Sequence, residues 1–203
     1  MIEPIARLRI ELQEIEPTIW RRIDVPLSST LLALHDFIQF AFCWTDSHLF
    51  EFEIGDRRYG QPEYDDDMDE RLYKAASIRL KTVVDRGIEQ FLYVYDFGDN
   101  WRHDLLIEEI RDGEPDIDYP VFVEGDRRGP PEDVGGVTGF MEFLEASRNP
   151  LHEEHEAVVR WYGRRFEPDD IDEQRVRMSF EMAAARRRGP LMSHRTGGRA
   201  RRR

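Results

Sequence analysis

Cysteine is nearly absent from this chain: Cys43 is the single thiol in 203 residues. No internal disulfide can form, and metal clusters built on several thiolates are excluded. Long hydrophobic runs are missing as well. No stretch approaches the roughly 18 apolar residues of a membrane-crossing helix, and the opening MIEPIARLRIEL has no apolar signal core. The expectation is a cytoplasmic protein with no membrane partner. No repeat with a period of roughly 20–50 residues is visible, which argues against solenoids and propellers.

Positive charge is scarce over most of the chain. The formal net charge is −13, yet the segment from Arg186 onward holds eight arginines and no acidic residue. Taking those eight charges away leaves −21 on everything before them. An acidic body repels nucleic-acid phosphate and a basic arm attracts it. Arg186, Arg187, Arg188, Arg195, Arg199, Arg201, Arg202 and Arg203 are therefore the candidates for nucleic-acid contact, through phosphates rather than bases. A solubilising tail that folds back on the acidic body accounts for the same composition.

What is present is an aromatic-rich globular composition. Hydrophobic residues make up 40%, with 12 Phe, 7 Tyr and 4 Trp, enough for one domain with a proper core. That domain is expected over residues 1–185, with the glycine- and arginine-rich 186–203 as a disordered tail. Ala6, Leu8, Ile10 and Leu12 alternate with polar residues, as in a half-buried strand. A second strand runs from Ile19 to Val25 and ends at Pro26. Ser28, Ser29 or Thr30 caps a helix that places Leu31, Leu34, Ile38 and Ala41 on one apolar face, and this helix should be largely buried.

Phe50, Phe52 and Ile54 alternate again, and Gly55-Asp56 suits a tight turn into Arg57–Tyr59. The acidic run Asp65–Glu70 lacks the central glycine of a calcium loop and reads as a solvated loop. Phe91, Tyr93 and Tyr95 share one side of a strand. After the turn-forming Asp96–Asn100, Trp101, His103 and Leu105 resume the alternation, so the two sets should share one face of a hairpin. Gly129–Gly136 is turn-rich. Thr138 caps a helix through Phe140 and Leu144, Pro150 begins another, and Asp169–Ala185 forms the last. The fold class is α+β: a mainly antiparallel sheet built from hairpins, one buried N-terminal helix and a helical C-terminal third.

Several groups carry chemistry. Asp96, Asp99 and His103 at the central turn are the residue types that hold a divalent metal or do acid–base work. Their structural account is the commoner one: aspartates fold the turn through backbone hydrogen bonds, and His103 fills an aromatic face. His48 follows the first helix in a loop within plausible reach of that hairpin. Glu132 and Asp133 stand beside Gly135-Gly136 and present acids and backbone amides, or simply favour a helix start. His152 and His155 are three apart, not the spacing of a zinc protease motif. His35 reads as a packed histidine at the core edge, and Cys43, between Phe42 and Trp44, as an inert thiol. Tyr93, Tyr95, Trp101 and Trp20 are the aromatics of a candidate binding surface.

Four stretches carry a family resemblance: Pro17 with IWRRIDVP (Ile19–Pro26), TLLALHDFIQFAF (Thr30–Phe42) with His48-Leu49, YVYDFGDNWRH (Tyr93–His103), and PPEDVGG (Pro130–Gly136). Together they resemble the plasmid pRiA ORF-three-like family, over roughly residues 5–180. The resemblance implies association with plasmids and transposon-like elements, where members often bear a TnpR-like resolvase label. Relatives often place cysteines at the positions of Phe122 and Gly129, thiols that this chain lacks. Recombinase chemistry finds no support in the residues: Ser28 and Ser29 stand in PLSSTLL without the arginine cluster a phosphate-attacking serine needs. The leading expectation is a non-enzymatic accessory or interaction module that uses the aromatic hairpin and the PPED loop. The alternatives are a metal-assisted hydrolase built on Asp96, Asp99 and His103, and a protein–protein adaptor.

Overall fold

A computed structural model describes residues 2–61 and 72–188. The acidic run Asp65–Glu70 and the arginines from Arg195 to Arg203 lie outside those residues. The described chain forms eight strands: β1 (Pro4–Leu12), β2 (Trp20–Pro26), β3 (Phe50–Ile54), β4 (Arg57–Gly60), β5 (Leu72–Lys74), β6 (Gln90–Tyr95), β7 (Trp101–Asp112) and β8 (Val121–Asp126). Its helices are α1 (Leu31–Phe42), α2 (Leu80–Asp85), α3 (Gly136–Arg148), α4 (His155–Tyr162) and α5 (Glu173–Arg188). The strands make one sheet in the order β5-β4-β3-β6-β7-β1-β2-β8, antiparallel except for β4 beside β5. The fold is α+β.

The alternation in sequence becomes two unlike faces. Leu8, Ile10, Ile23, Phe52, Tyr93, Trp101, Leu105 and Phe122 are buried on the inner face. α1, α3 and α5 cover that face. His35 of α1 stacks on Phe50 with ring centroids 3.6 Å apart. Phe140 of α3 meets Trp101 edge-on, and Phe180 of α5 packs between Phe37 and Phe122. On the outer face Arg7 grips the buried Asp24 with two hydrogen bonds of 2.8 and 2.9 Å, and Arg111 adds a third at 2.8 Å. Trp20 lies there too, half-buried, with the Arg9 guanidinium 4.0 Å from its ring centroid.

α1 begins where the sequence suggests. The Thr30 hydroxyl accepts from the Ala33 amide at 3.1 Å, a cap that stabilises a helix by about 1 kcal/mol. The helix ends at Cys43, whose φ of 62° is left-handed. Arg21 is the one arginine buried among the inner-face apolar residues of β2, 1% exposed. It donates to the carbonyls of Ala41, Trp20 and Asp126 at 2.7, 2.7 and 2.9 Å. Burial lowers its pKa to about 10.

Three boundaries differ from expectation. α3 starts at Gly136 instead of after Thr138, because Gly135 (φ 94°) and Gly136 (φ 67°) turn the chain into the helix through left-handed backbone. α4 starts at His155, since Asn149 and His152 draw the amides of Leu151 and Glu154 into tight turns that compete with a helix from Pro150. α5 runs through Arg188, so Arg186, Arg187 and Arg188 belong to the folded domain and not to a disordered tail. The preceding alanines favour helix, and cations suit its C-terminus. Arg187 reaches Glu3 at 3.2 Å and Arg188 reaches Asp118 at 2.8 Å.

Candidate functional site

The site grows from the β6–β7 turn. Tyr95 pairs with Trp101 and Tyr93 with His103 across the hairpin, so all four side chains share the inner face. Asp96 and Asn100 both have φ of 55°, a conformation that Asp and Asn tolerate better than most residues. One Asp96 oxygen, Oδ1, accepts from the amides of Gly98 and Asp99 at 2.9 and 3.3 Å. That oxygen folds the turn. The other, Oδ2, faces His48, with His48 Nε2 3.5 Å away.

Two loops close around this carboxylate. His48 comes from the segment joining α1 to β3, its ring edge-on to Tyr95 at 5.9 Å. The Pro130–Gly136 loop supplies Glu132 and Asp133. Trp44 Nε1 donates to the Pro130 carbonyl at 2.9 Å, and Asp99 Oδ2 accepts from the Gly135 amide at 3.2 Å. A Cβ on Gly136 would stand 2.6 Å from the Asp99 carbonyl oxygen, so only glycine lets the loop lie this close to the turn. His48 Nε2 then lies 3.1 Å from Asp133 Oδ1 and 3.8 Å from Glu132 Oε2. The donor atoms of His48, Asp96 and Asp133 all fall within 4.8 Å of one another.

The His48 Nε2 atom is buried and makes no hydrogen bond of acceptable geometry. Glu132, by contrast, is fixed. Its Oε1 accepts from the Thr45 amide at 2.8 Å and from the Tyr95 hydroxyl at 3.1 Å. Burial, and then the Glu132 charge, raise the Tyr95 pKa, so this phenol stays protonated and keeps donating. The cluster has one closed and one open side: the Asp96 side chain is 9% exposed and that of Asp133 is 71% exposed.

His103 does not join this group. It is fully buried between Phe42, Trp44 and Tyr93, at ring distances of 4.9, 5.4 and 5.4 Å. Two residues farther along the strand than Trp101, it lies beneath the rim, among rings. Asp99 is committed to Gly135. Asp96 folds the turn and His103 fills the aromatic face, as their structural account expects; the metal-holding trio of Asp96, Asp99 and His103 does not form, and His48 is the histidine that meets Asp96. The aromatic binding surface is corrected as well: Tyr93, Tyr95 and Trp101 are 0–1% exposed and form core.

A second cluster had little signal in the sequence. His35 Nε2 lies 2.8 Å from Asp46 Oδ1 and Nδ1 lies 2.7 Å from the Tyr93 hydroxyl. Gln39 Nε2 donates to the same hydroxyl at 3.2 Å. The network assigns the proton to Nε2, donated to Asp46, and leaves Nδ1 to accept from Tyr93. Burial lowers the His35 pKa and Asp46 opposes it. Both ring nitrogens are occupied, so His35, Asp36 and Asp46, although close enough to hold a cation, form a hydrogen-bonded strut instead of an open donor set.

Comparison with known proteins gives the family. The sequence pattern of the plasmid pRiA4b ORF-3-like proteins matches residues 4–175. The chain belongs to that family. Among pRiA4b ORF-3-like relatives, it is 38% identical over 164 residues to uncharacterized protein y4hQ of Sinorhizobium fredii, which covers 80% of this chain and 83% of that protein. It is also similar to the crystal structure of a protein of unknown function, MM3350 from Methanosarcina mazei, with a TM-score of 0.77 and 34% identity. That match covers 85% of this chain and 98% of the other. His48, Asp96, Glu132 and Asp133 all fall inside the stretch that defines the pRiA4b ORF-3-like family, whereas the last helical arginines fall beyond it. No described helix is long and apolar enough to cross a membrane.

Proposed function

We propose that this pRiA4b ORF-3-like protein is a divalent-metal-dependent hydrolase, with His48, Asp96 and Asp133 holding the cation and Glu132 beside them as proton acceptor. The observation that carries the reading is the buried His48 Nε2, which makes no hydrogen bond and faces three carboxylates at 3.1 to 3.8 Å. Carboxylates gathered this closely repel one another, and a cation relieves that repulsion while giving the imidazole lone pair a partner. One imidazole with several carboxylates suits manganese or zinc better than a soft thiophilic metal. A metal bound there would make water acidic enough to act as a nucleophile at neutral pH. The exposed flank at Asp133 is the side from which that water and a substrate would approach. The accessory-module reading draws on an aromatic and acidic surface of the hairpin and the PPED loop; the rings of that surface are core, and the acids that remain are those gathered at His48.

Elemental analysis and calorimetry on untagged protein test this. One equivalent of manganese or zinc is expected, with a raised melting temperature, and His48→Ala should abolish both. A wild-type chain with no stoichiometric metal and no thermal response to manganese, zinc or magnesium would overturn the reading.

A further inference from the structure

Beside the metal cluster lies a cleft of about 270 Å³ between the end of α1, the Arg128–Glu132 segment and the entry to α5. Its wall includes Cys43, Thr45, Arg128, Glu132, Arg164 and Arg175. Glu132 lines the cleft and also stands 3.8 Å from His48 Nε2, so the cleft and the cluster are neighbours. Three guanidiniums are drawn into it from separate elements: β8's following loop, the turn after α4, and α5. A fourth, Arg21, is buried behind Phe42, with its Cζ 4.9 Å from that ring.

The chain holds 42 acidic residues against 29 basic ones, and most described arginines engage a carboxylate. Arg128 does so with Asp170 at 2.8 Å and Asp172 at 3.8 Å. Arg164 leans over the Tyr162 ring at 5.6 Å instead. Arg175 and Arg164 have no carboxylate within ion-pair distance among the described residues, and Arg21 is held only by carbonyls. Arg164 and Arg175 thus line the hollow with no carboxylate at ion-pair distance, while Arg128 keeps Asp170 and Asp172, and the two unpaired guanidiniums are donors that an anion would complete. Cys43 does not compete as the reactive group: burial raises its thiol pKa, against the pull of the arginines, and a protonated thiol is a poor nucleophile.

We propose that this cleft is the anion subsite of the protein, taking a phosphate or carboxylate group of its ligand on Arg164 and Arg175, with Arg128 as the buried floor. The inference deepens the metal reading by naming what the substrate carries. It rests on that reading for the reaction and not for the binding.

The test titrates the full-length protein by calorimetry with inorganic phosphate in one arm and succinate in the other, each with chelator present and again with manganese present. Saturable binding of at least one anion is expected in chelator, weakened about tenfold or more by the pair Arg164→Gln and Arg175→Gln. Arg79→Gln, an exposed arginine outside the cleft, should leave it unchanged. The arm that binds more tightly identifies the anion class. Loss in the arginine pair with His48→Ala unaffected supports the cleft even if no metal binds. Binding that appears only with manganese, and is lost with His48→Ala but kept in the arginine pair, overturns the cleft and leaves the metal site standing. No saturable binding of either anion under any condition also overturns it.

Discussion

His103 gives the sharpest test of how this core is built. It is fully buried, and neither ring nitrogen has a hydrogen-bond partner. Burial pushes its pKa down to about 3; the carbonyls of Tyr93 and Trp101, not hydrogen-bonded to the neutral ring, would favour a protonated one and offset part of that, and Arg21 adds to the lowering. An unfolded histidine titrates near 6.5. Between about 3 and about 6.5 the unfolded chain therefore binds one more proton than the folded chain, and stability rises with pH by about 1.4 kcal/mol per unit. The residue's contribution is intact above pH 6.5 and is lost as pH falls towards 3. Acidification from pH 8 to pH 5 should remove about 2 kcal/mol through this residue alone.

The perturbation is His103→Leu, similar in size and unable to ionise. At pH 8 the exchange removes two buried nitrogens without partners, so stability should change by about 1 kcal/mol or less. Denaturant unfolding at pH 8, 6 and 5 then gives two curves of stability against pH. Other titrating groups, His35 among them, are common to both chains and cancel in the difference. The wild type should lose about 2 kcal/mol more than the variant between pH 8 and pH 5. Parallel curves would show that the imidazole takes up its proton equally in both states, and the account of a dry, unpartnered His103 would be wrong.

Asp96→Asn keeps an oxygen for the Gly98 and Asp99 amides but removes a charge from the cluster; the melting temperature without metal should stay close to wild type while metal affinity falls at least about tenfold by calorimetry. Gly136→Ala places a Cβ against the Asp99 carbonyl at a φ of 67°, costing about 1–2 kcal/mol in backbone strain alone, and should weaken metal binding by lifting Asp133 away. Asp24→Ala strands Arg7 and Arg111 on the outer face and should cost about 2 kcal/mol in urea unfolding, less than a fully buried pair because both arginines are partly solvated. Thr30→Ala, which removes the α1 cap, should cost about 1 kcal/mol in the same assay.

Local pattern was enough for much of the fold. Period-two alternation put Tyr93, Trp101 and His103 on one face, because a strand's side chains have only two directions to take. Thr30 before Leu31 marked the start of α1, and Gly55-Asp56 marked a hairpin turn, since caps and turns are decided within a few residues. The four motifs from Pro17 to Gly136 were enough to identify the family, which matches residues 4–175.

Depth and long-range contact were another matter. Alternation says which face His103 occupies and nothing about how far beneath the rim it lies, so the sequence leaves both a place among the turn acids and a place among the rings open, and only the fold decides for the rings. His48 gave no periodic signal, being a loop residue, yet it is the histidine that meets Asp96. Glu132 and Asp133 reach it because Trp44 holds Pro130 and Asp99 holds Gly135, contacts between segments far apart along the chain. The arginines of the cleft come from three separate elements and share no motif. Strand and helix type follow from neighbouring residues, whereas a site is a set of distances between segments that only the packed chain brings together, and the sequence carries those distances only through the fold.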